Sequence, residues 1–204
     1  MKRCPTSREE LATHEAGHLV VIAMTSDFEP GEFIWHRLPR YEIAHVEPVR
    51  STHFDWETPH HRNALIVRHV VVALAGGAAE MCGATREERH SVSIETIHER
   101  VGKIDFELAH EWLTLQRYDP DQGTLELEIK RLFLEVSEVL ARPAQRDAID
   151  ALSQRILERL RAADASGANT LKLPARMLLD GIELDHPPDF ALKATLFEKD
   201  RATR

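Results

Sequence analysis

The chain has 204 residues, of which 43% are hydrophobic and 29% charged, with 9 Gly and 10 Pro; this is the profile of one globular domain that buries a core without disulfide staples, and it argues against wholesale disorder. A net charge of −8 sets a nucleic-acid surface aside, and the longest apolar run, Val70–Ala79, is too short to span a bilayer. No apolar stretch of secretory type opens the chain, and two cysteines, Cys4 and Cys82, make no disulfide framework, so a reducing, cytoplasmic setting is the expectation.

In chain order, Ser7 with Glu10 reads as a capping box opening a helix over residues 8–24, with Glu9 and Glu10 at its positive end. Its apolar residues Leu11, Ala12, Leu19, Val20 and Ile22 suit a helix packed on several sides. Residues 26–57 carry aromatic and β-branched residues broken by Pro39 and Pro48, which reads as one or two short strands, a hairpin whose prolines favour an edge. Such an edge offers an extended peptide a place to add as a further strand; a plain hairpin covering the core is the equal alternative. Thr58-Pro59 announces a second helix, apolar nearly all round and ending near Gly83, which is expected to be the buried central one. Gly76-Gly77 inside it points to close packing of another backbone. Residues 84–93 read as a polar loop, and a helical region with a break at Gly102 follows over 94–118. Two amphipathic helices, 124–141 and 144–163, are separated by Arg142-Pro143 and read as a helical hairpin. Residues 165–169 form a loop, and the tail after Leu171 has no assigned structure, Pro187-Pro188 arguing against a continuous element there. The division is 1–120 as a core, 121–170 as a hairpin completing the same domain, and 171–204 as a C-terminal segment.

Twelve histidines draw attention to metal chemistry. His14-Glu15-Ala16-Gly17-His18 is an HExxH sequence on the first helix. Spacing i, i+4 puts both imidazoles on one helical face, where they can bind one metal ion, and Glu15 stands beside them to take a proton from the attacking water. The bland alternative is two histidines and a solvated glutamate on an ordinary helix. A catalytic zinc needs a third protein ligand. No third His follows at short spacing, so the residues themselves leave Glu80, Glu95, His98, Asp105 and Glu107 open. Glu80 is a ligand, a group supporting one, or the partner of a buried cation. His53, His60 and His61 read as a solvated helix start rather than a second metal site, Cys82 as a small core residue, and His110 as a surface group.

ATHEAGHLVV resembles the active-site helix of FtsH-type zinc metalloproteases, ALAGGAAE (Ala73–Glu80) resembles their LLGGRAAE segment, and IDFELA (Ile104–Ala109) resembles the segment NDLxxAT, whose Asp is the third zinc ligand. IDALSQRIL followed by LKLPA is similar to the family's last helix and its C-terminal segment. The resemblance implies a mainly α, zincin-like FtsH-type peptidase domain with a small β element. It also implies Zn2+ held by His14, His18 and Asp105, with Glu15 as general base. The family's GASND reads VGKID here, and the family's ATPase module and membrane helices have no expected counterpart, since the sequence shows no GxxxxGK[ST] loop and no membrane-spanning run. The expected activity is therefore ATP-independent hydrolysis of peptides or already unfolded polypeptides, with a separate ATPase partner and an oligomer as open options. Two rivals are a non-catalytic metal-binding adaptor of the same fold and a zinc hydrolase of a non-peptide amide. The same two His and one carboxylate also suit Fe(II), Co(II) or Ni(II).

Overall fold

The computed structural model describes residues 7–25, 28–50, 59–116 and 122–184. Their elements are α1 (Arg8–Met24), β1 (Phe28–Arg37), β2 (Glu42–Arg50), α2 (Pro59–Ala79), α3 (Arg86–His90), α4 (Ile94–Val101), α5 (Lys103–Gln116), α6 (Gln122–Leu140), α7 (Pro143–Ala165), β3 (Thr170–Pro174) and α8 (Arg176–Leu179). The fold is thus mainly helical with a small antiparallel sheet, as the sequence leads one to expect. Cys4, the side chains of His53, His60 and His61, and the Pro187-Pro188 pair lie outside the described residues.

Helices α1 and α2 form the centre. From Leu11 to Met24 nearly every α1 side chain is buried, and so is the run from Ala64 to Ala79 on α2. Ser7 Oγ accepts the Glu10 N–H at 3.2 Å and starts α1 where expected. The two helices cross closely because Gly17 has no side chain: a Cβ there would lie 2.5 Å from Ala79 Cβ and 2.6 Å from the Ala75 carbonyl oxygen.

Helix α7 lies along α1, while α6 and α5 lie along α2. The apolar sets of the two late helices are buried throughout, from Leu125 to Leu140 and from Ile149 to Leu160. Yet α6 and α7 contact each other little. The Arg142-Pro143 corner sends them to opposite halves of the central pair, so the expected hairpin is two outer layers rather than a self-packed unit. Residues 84–93, polar and expected to be a loop, hold a short helix. Thr85 and Glu88 form a full capping box for α3, at 3.2 and 2.7 Å.

The sheet has strand order β2-β1-β3, with antiparallel pairing throughout. The predicted hairpin is β1–β2; Pro39 falls in its turn and Pro48 on the outer strand β2, whose outer edge is unpaired among the described residues. Strand β3 was not foreseen. Leu171 and Leu173 pack on the core from the face opposite Lys172, an alternation too short to read against the loop before it. Arg8 ties this sheet to the helices: its guanidinium hydrogen-bonds Glu42 of β2 and Asp164 of α7, and it lies over the Trp35 ring together with Arg37.

Candidate metal centre

One helical turn of α1 brings the His14 and His18 rings to a centroid distance of 4.9 Å. Asp105, in the first turn of α5, meets them from the other side, with Oδ2 3.4 Å from His14 Nε2 and 3.6 Å from His18 Nε2. One ligand-type atom from each of the three residues lies within 4.8 Å of the others, the spacing of a group able to hold one metal ion. Asp105 reaches this point because Gly102, at φ 81°, ends α4 and lets α5 start in a new direction.

The far side of each imidazole is anchored. His18 Nδ1–H donates to the Val72 carbonyl at 2.8 Å, which leaves the Nε2 lone pair facing the cluster. His14 Nδ1 is 3.0 Å from Glu80 Oε1, and Arg100 Nη1 is 3.6 Å from the other Glu80 oxygen. A carboxylate and a backbone carbonyl behind the rings are what a two-His metal site uses to fix tautomer and ring plane. Burial by itself would depress the His14 imidazolium, but Asp105 and Glu80 outweigh it and hold the group up to about 10. Burial would likewise raise the Asp105 carboxyl, yet His14 and His18 keep it well below the usual carboxylate range. The donor set is therefore strongly attractive to positive charge at this one point.

Glu15 points inward beside the cluster. It is 3% exposed, and its Oε2 has no hydrogen-bond partner among the described residues. Burial pushes its carboxyl above the ordinary glutamate range, and the charges of His18 and His14 pull it part of the way back. A buried carboxylate oxygen without a donor is costly, and it is explained where a water or a metal-held group supplies the partner.

Of the open third-ligand candidates, the fold brings in Asp105 alone. Glu80 stands behind His14, one of its three expected roles. Glu95 lies in the first turn of α4 and hydrogen-bonds the N-cap residue Ser93, His98 packs its ring against Phe106, and Glu107 pairs with Lys103 at 3.4 Å. His110 lies outside the ligand group. Cys82 is buried, and burial pushes its thiol up to about 12, as befits a core residue. The two α2 glycines have separate tasks. A Cβ at Gly77 would lie 2.7 Å from the Val101 nitrogen, so this glycine admits the α4 backbone as anticipated. A Cβ at Gly76 would lie within 2.6 Å of three atoms of the His14 ring, so Gly76 makes room for that imidazole instead.

The cluster lies in a cleft of about 530 Å3 whose walls include residues 41–48, on and beside β2, and residues 99–105 at the α4–α5 corner. Sequence reasoning missed Arg100, the Val72 carbonyl and the fit of Gly76 to His14. No local pattern signals any of them, because each depends on how α2 crosses α1 and α4. Among the described residues no helix is long and apolar enough to cross a membrane. No protein-family model, characterised protein or solved structure compared with the chain matches it.

Proposed function

We propose that the protein is a zinc-dependent peptidase of the FtsH-protease type, hydrolysing peptides or unfolded polypeptide without ATP. The observation that carries this reading is the buried Glu15 carboxylate, whose Oε2 has no hydrogen-bond partner among the described residues, set beside three convergent side chains of ligand type. A surface ion cluster has no use for such a group, whereas hydrolysis needs a base held at the point of attack. His14, His18 and Asp105 hold the ion, and Glu80 and Val72 hold the two rings in place. Zinc bound there would supply Lewis acidity, polarising the scissile carbonyl and lowering the pKa of the attacking water towards 7. Glu15 takes the proton from that water and passes it to the leaving amine. Burial raises its affinity for protons, as a general base requires. The outer edge of β2, unpaired among the described residues, borders the same cleft and gives an extended peptide backbone its hydrogen-bonding partner.

The test is metal content and hydrolysis of an unfolded casein-like chain by the same preparations. The expected result is one zinc per chain in wild type, loss of most of it in Asp105→Ala, and hydrolysis by wild type alone. Glu15→Gln should keep the zinc and lose at least about 100-fold in rate. A wild-type chain that binds no zinc when supplied with it, or binds it and cleaves nothing, refutes the proposal.

A further inference from the structure

The cleft around the ligand cluster is rich in negative charge. Seven carboxylates line it against two permanent cations, Arg100 and Lys103. Both cations are engaged, Arg100 with Glu80 at 3.6 Å and Lys103 with Glu107 at 3.4 Å. A peptide carbonyl that takes up negative charge in such a place needs a donor aimed at it. His45 is set to be that donor. It sits in the middle of β2, the strand whose outer edge is unpaired among the described residues and beside which an extended substrate would lie, and it lines the cleft with His14, Glu15 and His18. Its side chain is about half exposed, and its one polar approach among the described residues is to Glu47, at 3.9 Å, beyond hydrogen-bond distance. It also lies within electrostatic range of the Glu15 carboxyl. The other uncharged donor on this wall, Tyr41, stands four residues back along the chain, about 13 Å away at strand rise.

Resting on the peptidase reading above, we propose that His45 is a further catalytic residue, donating a ring N–H to the scissile carbonyl oxygen as charge develops on it. The water oxygen bonds to the carbonyl carbon, the C=O π pair moves onto the carbonyl oxygen, and the water proton goes to Glu15. His45 holds the oxygen that receives the pair and keeps its own proton. Its place on the edge strand makes the same element align the substrate backbone and stabilise the charge formed on it.

The experiment uses the zinc-loaded full chain, a peptide substrate, and two probes of matched sequence: a phosphinic peptide with a tetrahedral anionic centre, and an uncleaved ground-state peptide. His45→Ala should lower kcat about 100-fold, with KM changed less than about threefold. It should weaken the phosphinic peptide by a similar factor, and leave zinc content, helical content and ground-state binding unchanged. His45→Phe, which keeps a ring without a donor, should behave as His45→Ala, and His45→Gln should recover part of the loss. An unchanged kcat with unchanged phosphinic affinity, or a rise in KM alone, overturns the assignment while the peptidase reading stands. A wild-type chain that cleaves no peptide and binds both probes equally removes the peptidase reading and this one together.

Discussion

Replacing Gly76 by alanine separates the metal centre from the fold around it. The new methyl would lie within 2.6 Å of Nε2, Cδ2 and Cε1 of His14. To restore ordinary van der Waals contact the ring must retreat by about 1 Å. The helix itself gains, since alanine is better than glycine inside a helix by about 1 kcal/mol. The strain therefore falls on the ligand, and a zinc–nitrogen bond near 2.0 Å tolerates only about 0.2 Å of error. Disturbing the groups behind a ligand costs about 10- to 100-fold in metal affinity, so moving the ligand itself should cost at least about 100-fold.

A competitive chelator titration reads that affinity, and thermal unfolding of the metal-free protein reads the fold. Gly77→Ala is the contrast. Its methyl would meet Val101 N at 2.7 Å and Cα at 2.8 Å, which are backbone atoms that cannot swing aside. That variant should lose about 2 kcal/mol or more of stability by overpacking. Gly76→Ala should keep more of its metal-free stability than Gly77→Ala, because the His14 side chain can move aside where the Val101 backbone cannot. If it binds zinc within about threefold of wild type, the packing of His14 against Gly76 does not govern ligand geometry and the reasoning fails.

Glu80→Ala should weaken zinc binding about 10- to 100-fold by freeing the His14 ring, with Glu80→Gln intermediate because its amide oxygen still accepts from Nδ1; equal affinities in chelator competition would refute the role of Glu80. The metal-free protein should lose stability as pH rises: His14 is held up to about 10 when folded against an ordinary value of 6.5, so its contribution is complete below about 6.5 and disappears as pH climbs through 10. Urea midpoints across that range, with His14→Ala giving a flatter profile, check the sign. Arg8→Ala should destabilise by about 1–2 kcal/mol, a figure held down by partial exposure. Glu42 and Asp164 are kept below their ordinary ranges chiefly by Arg8, against the pull of burial, so that stabilisation is present above about pH 4.5 and is lost as pH falls. A variant that matches wild type at pH 7 but not at pH 3 would contradict it.

What the sequence disclosed follows the range of the interactions involved. The α1 boundaries, the HExxH face and the buried sets of α6 and α7 depend on contacts within a few residues, and each is where periodicity and capping put it. The break at Gly102 was visible for the same reason. Helix α3 also had a local signal, Thr85 with Glu88, but five residues without one buried side chain gave no apolar period to support it. Strand β3 exists only because β1 offers an edge more than 130 residues earlier in the chain, and no window along the sequence contains both.

The proposed third ligand, Asp105, obeys the same logic at the site itself. Five residues qualified chemically, and what separates them is the path of α5. Gly77 lets the end of α4 approach α2, Gly102 turns the chain, and Asp105 then falls in the first turn of a helix that packs on α2. An aspartate two residues earlier or later would point elsewhere round the helix, since each residue turns it by about 100°. Glu107 is the internal control: it is a carboxylate on the same helix, two positions on, and it faces Lys103 instead of the histidines. A ligand set of this kind is written in three glycines as much as in three ligands. Gly17 sets the α1–α2 spacing, Gly76 the space for His14 and Gly77 the approach of α4. Exchanging the carboxylates, Asp105→Ala with Glu107→Asp, should therefore fail to restore metal binding, and restoration would show that the donor type matters and the path of α5 does not.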